Sequence, residues 1–182
     1  FLCIENRTFL VTGLANRKSV AWFVGKTLET QGACVYYSTR SVERKKELSR
    51  YVPEDKLLIC DVEQKGAVEQ LAEKLKEKVN HLDGFVHSIA FANFADGFKT
   101  FYETKREDFL QISCFSLVEC ARALKSLLTK TASVVTVGIS SQVAAIHYGY
   151  MSPIKAALES TVRFLAKSFS DESEIRFNCV GS

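Results

Sequence analysis

The sequence predicts a doubly wound α/β domain, a parallel sheet covered on both faces by helices in three α/β/α layers. Apolar runs of strand length alternate with longer segments of helical period, the pattern that successive βαβ units leave in a chain. A glycine turn, Thr12-Gly13-Leu14-Ala15, joins the first such run to the first helical segment, as in dinucleotide-binding sheets. No linker interrupts the alternation: 182 residues contain only 2 prolines and 9 glycines. One domain, 1–182, is therefore expected.

In chain order, strands are predicted over 8–12, 33–38, 56–60, 84–88, 133–137 and 175–180, each a short apolar run. Helices are predicted between them, over 19–30, 42–51, 65–79, 106–128 and 153–168. Crossovers between parallel strands are right-handed, so these helices divide between the two faces. The longest irregular stretch runs from Ile89 to about Thr104. It leaves the fourth strand where open α/β sheets bind their ligands.

Composition excludes several classes. The balance of 24 basic and 21 acidic residues gives a formal charge of +3, too weak a field for a nucleic-acid binder. No apolar run approaches the roughly 18 residues that span a bilayer, so no membrane partner is expected. The six cysteines form no CxxC pair and stand near no histidine cluster, which predicts no metal site. Most lie in apolar runs and read as small hydrophobes, consistent with a reducing cytoplasm.

The candidate site follows the strand ends. After the first strand, Gly13 permits a tight turn, and Ala15 and Ala21 are small enough for close approach. Ser19, with Val20 behind it, is placed to cap the helix or bond a phosphate oxygen. The end of the second strand reads Thr39-Arg40-Ser41, without the carboxylate that NAD-specific domains usually place on the adenosine ribose. Arg40, with Arg44, Lys45 and Lys46 nearby, would tolerate a 2′-phosphate; equally, it reads as a solvated helix start balanced by Glu43 and Glu47. Asp61-Val62 ends the third strand, and Asp61 reads either as an acceptor for an adenine amino group or as a helix cap. Ser88-Ile89-Ala90 ends the fourth, at the ribose-nicotinamide position. His87 and His81 read as satisfied structural histidines.

Tyr148-Gly149-Tyr150-Met151-Ser152-Pro153-Ile154-Lys155 is the most informative segment. If it is helical throughout, Tyr148 and Lys155 share one face, roughly 10 Å apart along the axis. Ser152 before Pro153 instead resembles a cap with proline in the first turn, so the shared face is conditional. A phenol near a buried amine could donate to a developing enolate oxygen.

Taken together, the Gly-x5-Ser-x-Ala turn, Cys60-Asp61-Val62, the run from Gly84 to Ala92, Ile112-Ser113 and Tyr148-x6-Lys155 resemble the bacterial enoyl-acyl-carrier-protein reductases of the short-chain dehydrogenase superfamily. The Tyr-x6-Lys spacing is the specific part, because ordinary members of that superfamily use Tyr-x3-Lys. The resemblance implies a Rossmann-like fold, NADH or NADPH as cofactor, and an enoyl thioester on acyl carrier protein as substrate. It makes Tyr148 and Lys155 the catalytic pair, Tyr148 on the thioester carbonyl and Lys155 on the nicotinamide ribose. Gly13, Ala15, Ser19, Val20, Asp61, Val62, Ser88, Ile89 and Ala90 would line the cofactor. It also implies a homotetramer, which the apolar segments over 112–128 and 153–168 fit as subunit contacts.

The chain departs from this family's pattern in three places. Ile139 stands where members often carry a second tyrosine, and residues are missing between Gln111 and Ile112 and near Ser141-Gln142. The sequence also stops at Ser182, before the substrate-binding segment and last strand that the resemblance implies. Two other readings compete: a short-chain ketoacyl reductase, which needs Tyr-x3-Lys, and a non-catalytic nucleotide-binding paralogue.

Overall fold

The computed structural model describes residues 3–90, 114–139 and 149–181. They form a six-stranded sheet in the order β3-β2-β1-β4-β5-β6, with every pairing parallel. The strands are β1 (Thr8–Thr12), β2 (Cys34–Thr39), β3 (Leu57–Ile59), β4 (Leu82–His87), β5 (Leu128–Gly138) and β6 (Arg176–Gly181). The helices described are α1 (Val20–Thr30), α2 (Val42–Leu48), α3 (Ala67–Lys76), α4 (Phe115–Leu124) and α5 (Met151–Ser170). The chain builds outward from β1 through β2 to β3, then returns to the other side of β1 for β4, β5 and β6. Strand order thus reverses between β1 and β4, which opens a crevice at their carboxyl ends.

Side chains alternate across the sheet with a period of two. Val11, Val35, Tyr37 and Leu57 enter the core shared with α1 and α2. Leu10, Tyr36, Leu58, Phe85 and Val134 enter the opposite core, which α3, α4 and α5 cover. α1 lies close on β2 because Gly25 faces the Tyr37 ring; a Cβ there would come within 2.2 Å of it. The Tyr37 hydroxyl donates to Glu29 at 2.9 Å, which locks that contact.

Several boundaries differ from the sequence expectation. The predicted helix 106–128 ends at Leu124, and Leu128 already pairs with Leu82 as the first residue of β5. Leu124, Leu127 and Leu128 continue a helical spacing, yet all three are buried in the core through the turn that starts the strand. Residues 106–113 of that prediction lie outside the described residues. α2 stops at Leu48 instead of 51, because the chain turns to seat Val52 in the core.

The last helix starts at Met151, two residues before the predicted start. Ser152 therefore lies inside its first turn and is not its cap. Pro153 fits there because the first amides of a helix have no intrahelical partner to lose. Gly149 stands at φ 50 in the preceding turn, so regular helical spacing from Lys155 reaches back to Met151; Tyr148 lies outside the described residues. Among the described residues, no helix is long and apolar enough to cross a membrane.

Candidate active site

The crevice at the strand ends is a cleft of about 320 Å³. Its walls contain eight of the predicted cofactor residues: Gly13, Ala15, Arg40, Asp61, Val62, Ser88, Ile89 and Ala90. Leu14, Thr39, Arg44, Cys60 and Glu63 complete the lining. Consecutive parallel strands explain the assembly: residues far apart in sequence all follow carboxyl ends of β1, β2, β3 and β4.

Gly13 is required twice over. Its φ is +82, and a Cβ would fall 2.1 Å from the carbonyl oxygen of Ser88. The β1 turn therefore crosses directly over the end of β4. Leu14 N–H donates to the Ser38 carbonyl at 2.9 Å and ties the same turn to β2.

Ser19 is the residue preceding α1, as expected, but its hydroxyl makes no cap. It donates backward to the Asn16 carbonyl at 2.7 Å. The first amides of α1 are thereby left without a side-chain acceptor, which suits them to an anionic ligand. Ser19 and Val20 stand at this helix start, outside the lining of the cleft.

Asp61 does not cap α3 either, since that helix begins after Gly66, itself at φ 81. Asp61 instead accepts the Glu63 N–H at 3.2 Å and stands 3.4 Å from Arg40 Nε. Arg40 also donates from Nη2 to Glu63. The guanidinium expected to be solvated or waiting for phosphate is thus held between two carboxylates from the end of β3. Sequence reasoning missed Glu63. Its signal was the Asp-x-Glu spacing just past a strand that neighbours Arg40. Thr39 is 1% exposed, lines the cleft, and its hydroxyl has no hydrogen-bond partner among the described residues. A buried orphan hydroxyl at a cavity wall fits a polar ligand.

At the other end, Lys155 projects from α5 and is 4% exposed. Its ammonium donates to the carbonyls of Val137 at 2.8 Å and Ile89 at 3.3 Å, bridging the ends of β5 and β4. Burial lowers its pKa from the ordinary value, while the Cys179 and Cys114 thiols act in the opposite direction. An ammonium has three protons, and two of them meet acceptors among the described residues. Tyr148, the other half of the predicted pair, lies outside the described residues.

His87 backs this wall. Its Nδ1 and Nε2 each lie 2.9 Å from a hydroxyl, of Thr136 and Ser116 respectively. Thr136 also donates to the His87 carbonyl at 3.2 Å. With that proton committed, Nδ1–H donates to Thr136 and Nε2 accepts from Ser116, which satisfies every member. Burial, then the Lys155 charge, pushes the His87 pKa down to about 3. The ring is neutral and structural.

The family model for enoyl-(acyl carrier protein) reductase matches residues 13–182. The chain belongs to the enoyl-(acyl carrier protein) reductase family. It is 35% identical over 190 residues to the enoyl-[acyl-carrier-protein] reductase [NADPH] FabI of Staphylococcus aureus, covering all of this chain and 74% of that protein. Identity to the NADH enzyme of Enterococcus faecalis is 33% over 184 residues, covering 98% and 73%.

Among solved reductases, the NADH enzyme of Aquifex aeolicus superposes with a TM-score of 0.91 at 30% identity, over 98% of this chain and 73% of that one. The enzyme of Anaplasma phagocytophilum, solved in complex with NAD, also gives 0.91, at 29% identity, over 98% and 71%. The chain spans about three quarters of these relatives.

Proposed function

We propose that the chain forms the nucleotide-binding body of an NADH- or NADPH-dependent enoyl-[acyl-carrier-protein] reductase. Its reaction would reduce the trans-2 double bond of an enoyl thioester in fatty-acid synthesis. The observation that carries this reading is the convergence of the Gly13 turn and the Ser88–Ala90 wall at a single cleft, with Lys155 bonded to the Ile89 carbonyl of that wall, in a chain of this family.

The residues fit the cofactor in its parts. Gly13 and the first amides of α1 would hold the pyrophosphate, because backbone can approach closely there and the helix start favours negative charge. Thr39, Arg40 and Asp61 would face the adenosine, and Ser88, Ile89 and Ala90 the ribose-nicotinamide half. Lys155 would use its third proton on the nicotinamide ribose.

When bound, the reduced nicotinamide supplies the hydride for the β-carbon of the enoyl group. Tyr148 would donate to the thioester carbonyl oxygen as enolate charge develops there. Such a bond is worth ~10² to 10³ in rate when the donor is fixed in advance. The charge of Lys155 lowers the cost of negative charge on that oxygen. The substrate's carrier would be acyl carrier protein, and the assembly a homotetramer. Phe115 on α4 and Phe164 on α5 support the latter, at 60% and 74% exposed, since large apolar side chains on neighbouring helices favour a covered face.

Absorbance of reduced nicotinamide tests the reaction in the complete protein, with a trans-2-enoyl thioester and the matching 3-ketoacyl thioester in turn. Turnover of the enoyl substrate alone is expected, and Tyr148→Phe should slow it about 10²-fold. Faster turnover of the ketoacyl substrate would overturn the assignment. Cofactor binding without turnover of either would point to a non-catalytic paralogue.

A further inference from the structure

At the adenosine end of the cleft the guanidinium of Arg40 is already occupied. Its Nη2 bonds Glu63 and its Nε lies 3.4 Å from Asp61. Both carboxylates follow β3 and line the same cleft as Arg40. Arg44, the second basic group of that lining, lies 3.7 Å from Glu47 and donates to the Ala15 carbonyl at 3.4 Å. Each arginine facing this end therefore has a carboxylate beside it.

We infer that Glu63 is a specificity-determining residue, which opposes NADPH by competing with the 2′-phosphate for Arg40; the inference rests on the NAD(P)H reading above. A 2′-phosphate is close to a dianion and bonds a guanidinium through its planar fork. To bond the Nη2 end of that fork it must compete with Glu63, and it then remains near that carboxylate. NADH presents hydroxyls at the same place and has no need to separate the pair. Asp61 does not play the same part. It stands 3.4 Å from Nε and is held in the turn by the Glu63 N–H at 3.2 Å, whereas Glu63 takes an end of the fork itself. Arg40 is half exposed, as is usual for a pair that can exchange partners.

The test titrates NADH and NADPH separately into the complete protein and into Glu63→Gln, Arg40→Gln and the double variant, following nicotinamide fluorescence. Glutamine keeps the size of Glu63 and removes its charge. The ratio of NADPH to NADH affinity should rise roughly three- to tenfold in Glu63→Gln. The gain should shrink as salt is raised, and it should vanish in the double variant, because it acts through Arg40. An unchanged ratio in Glu63→Gln, or a gain that persists without Arg40, would overturn the inference while leaving the cofactor reading intact. Failure of the unaltered protein to bind either nucleotide would remove the cofactor reading, and this inference with it.

Discussion

Where the cleft meets the ends of β2 and β3, the proposed adenosine end, the charged groups stand partly in water, whereas beside β4 and β5, the proposed nicotinamide end, they are sealed inside the fold. The Arg40 side chain is 50% exposed, and an ion pair of that kind contributes at most about 1 kcal/mol to stability. Lys155 and His87 are buried, and each is bonded to groups of neighbouring elements: Lys155 to main-chain carbonyls at the ends of β4 and β5, His87 to hydroxyls on β5 and α4. The first arrangement can be re-specified by single substitutions without disturbing the sheet. The second is part of what holds the sheet's carboxyl edge together, so changes there alter stability and site geometry at once.

Gly13 joins the two ends, and the largest effect is expected there. In Gly13→Ala the new methyl would meet the Ser88 carbonyl at 2.1 Å while the backbone keeps a φ that alanine resists. Overlap and strain together should destabilise the protein by about 2 to 5 kcal/mol. Relief requires moving either the β1 turn or the Ser88–Ala90 wall, so cofactor affinity should fall more than tenfold. Chemical denaturation and nucleotide titration check the two parts. A variant as stable as the parent, with unchanged affinity, would mean that the two ends are not mechanically joined at this residue.

The same contrast decides what the sequence revealed. The alternation of strands and helices, the glycine turn and eight of the lining residues were legible because backbone topology places them: whatever follows the carboxyl end of β1, β2, β3 or β4 must meet at the switch point. Glu63 was not legible, since its place depends on a side chain reaching across from β3 to Arg40. For Ser19 and Asp61 the sequence offered a helix cap as one of two roles, and the structure makes neither a cap. Both residue types favour caps in general, but Ser19 turns back to Asn16, and Gly66 delays α3 beyond the reach of Asp61. The end of the predicted helix 106–128 failed because Leu127 and Leu128 fit a helical period and a buried strand equally well.

His87 offers an intermediate effect that belongs to the buried end alone. Its folded pKa, about 3, lies below the ordinary 6.5, so below pH 6.5 the unfolded chain binds the proton that the folded chain refuses. Stability from this group is therefore complete above pH 6.5 and is lost as pH falls toward 3. The loss amounts to a few kcal/mol, on the order of 1.4 per pH unit across that window. Urea midpoints measured from pH 7 to pH 4 should fall steeply in the parent and less steeply in His87→Gln, whatever that variant's stability at pH 7. Parallel slopes would assign the acid loss to carboxylates and remove His87 from the account.

The smallest effect separates two hydroxyls that are alike in the folded chain and unlike in purpose. Thr39 Oγ1 and Ser152 Oγ are the buried side-chain polar atoms that lack a partner among the described residues. Thr39 lines the cleft at the end of β2; Ser152 sits in the first turn of α5 and is absent from the cleft wall. An orphaned buried hydroxyl forfeits its bonds to water, so replacing it with an apolar group of similar shape should leave stability unchanged or raise it by about 1 kcal/mol. Thr39→Val and Ser152→Ala should behave alike in that respect. They should differ in binding. If the Thr39 hydroxyl is left open for the adenosine, Thr39→Val loses one neutral hydrogen bond and weakens nucleotide affinity roughly three- to tenfold, whereas Ser152→Ala leaves it unchanged. Thermal melts and nucleotide titration on the two variants make the comparison. Equal affinities in both would show that the Thr39 orphan is a packing compromise like that of Ser152, and that the adenosine is held by the charged groups around it.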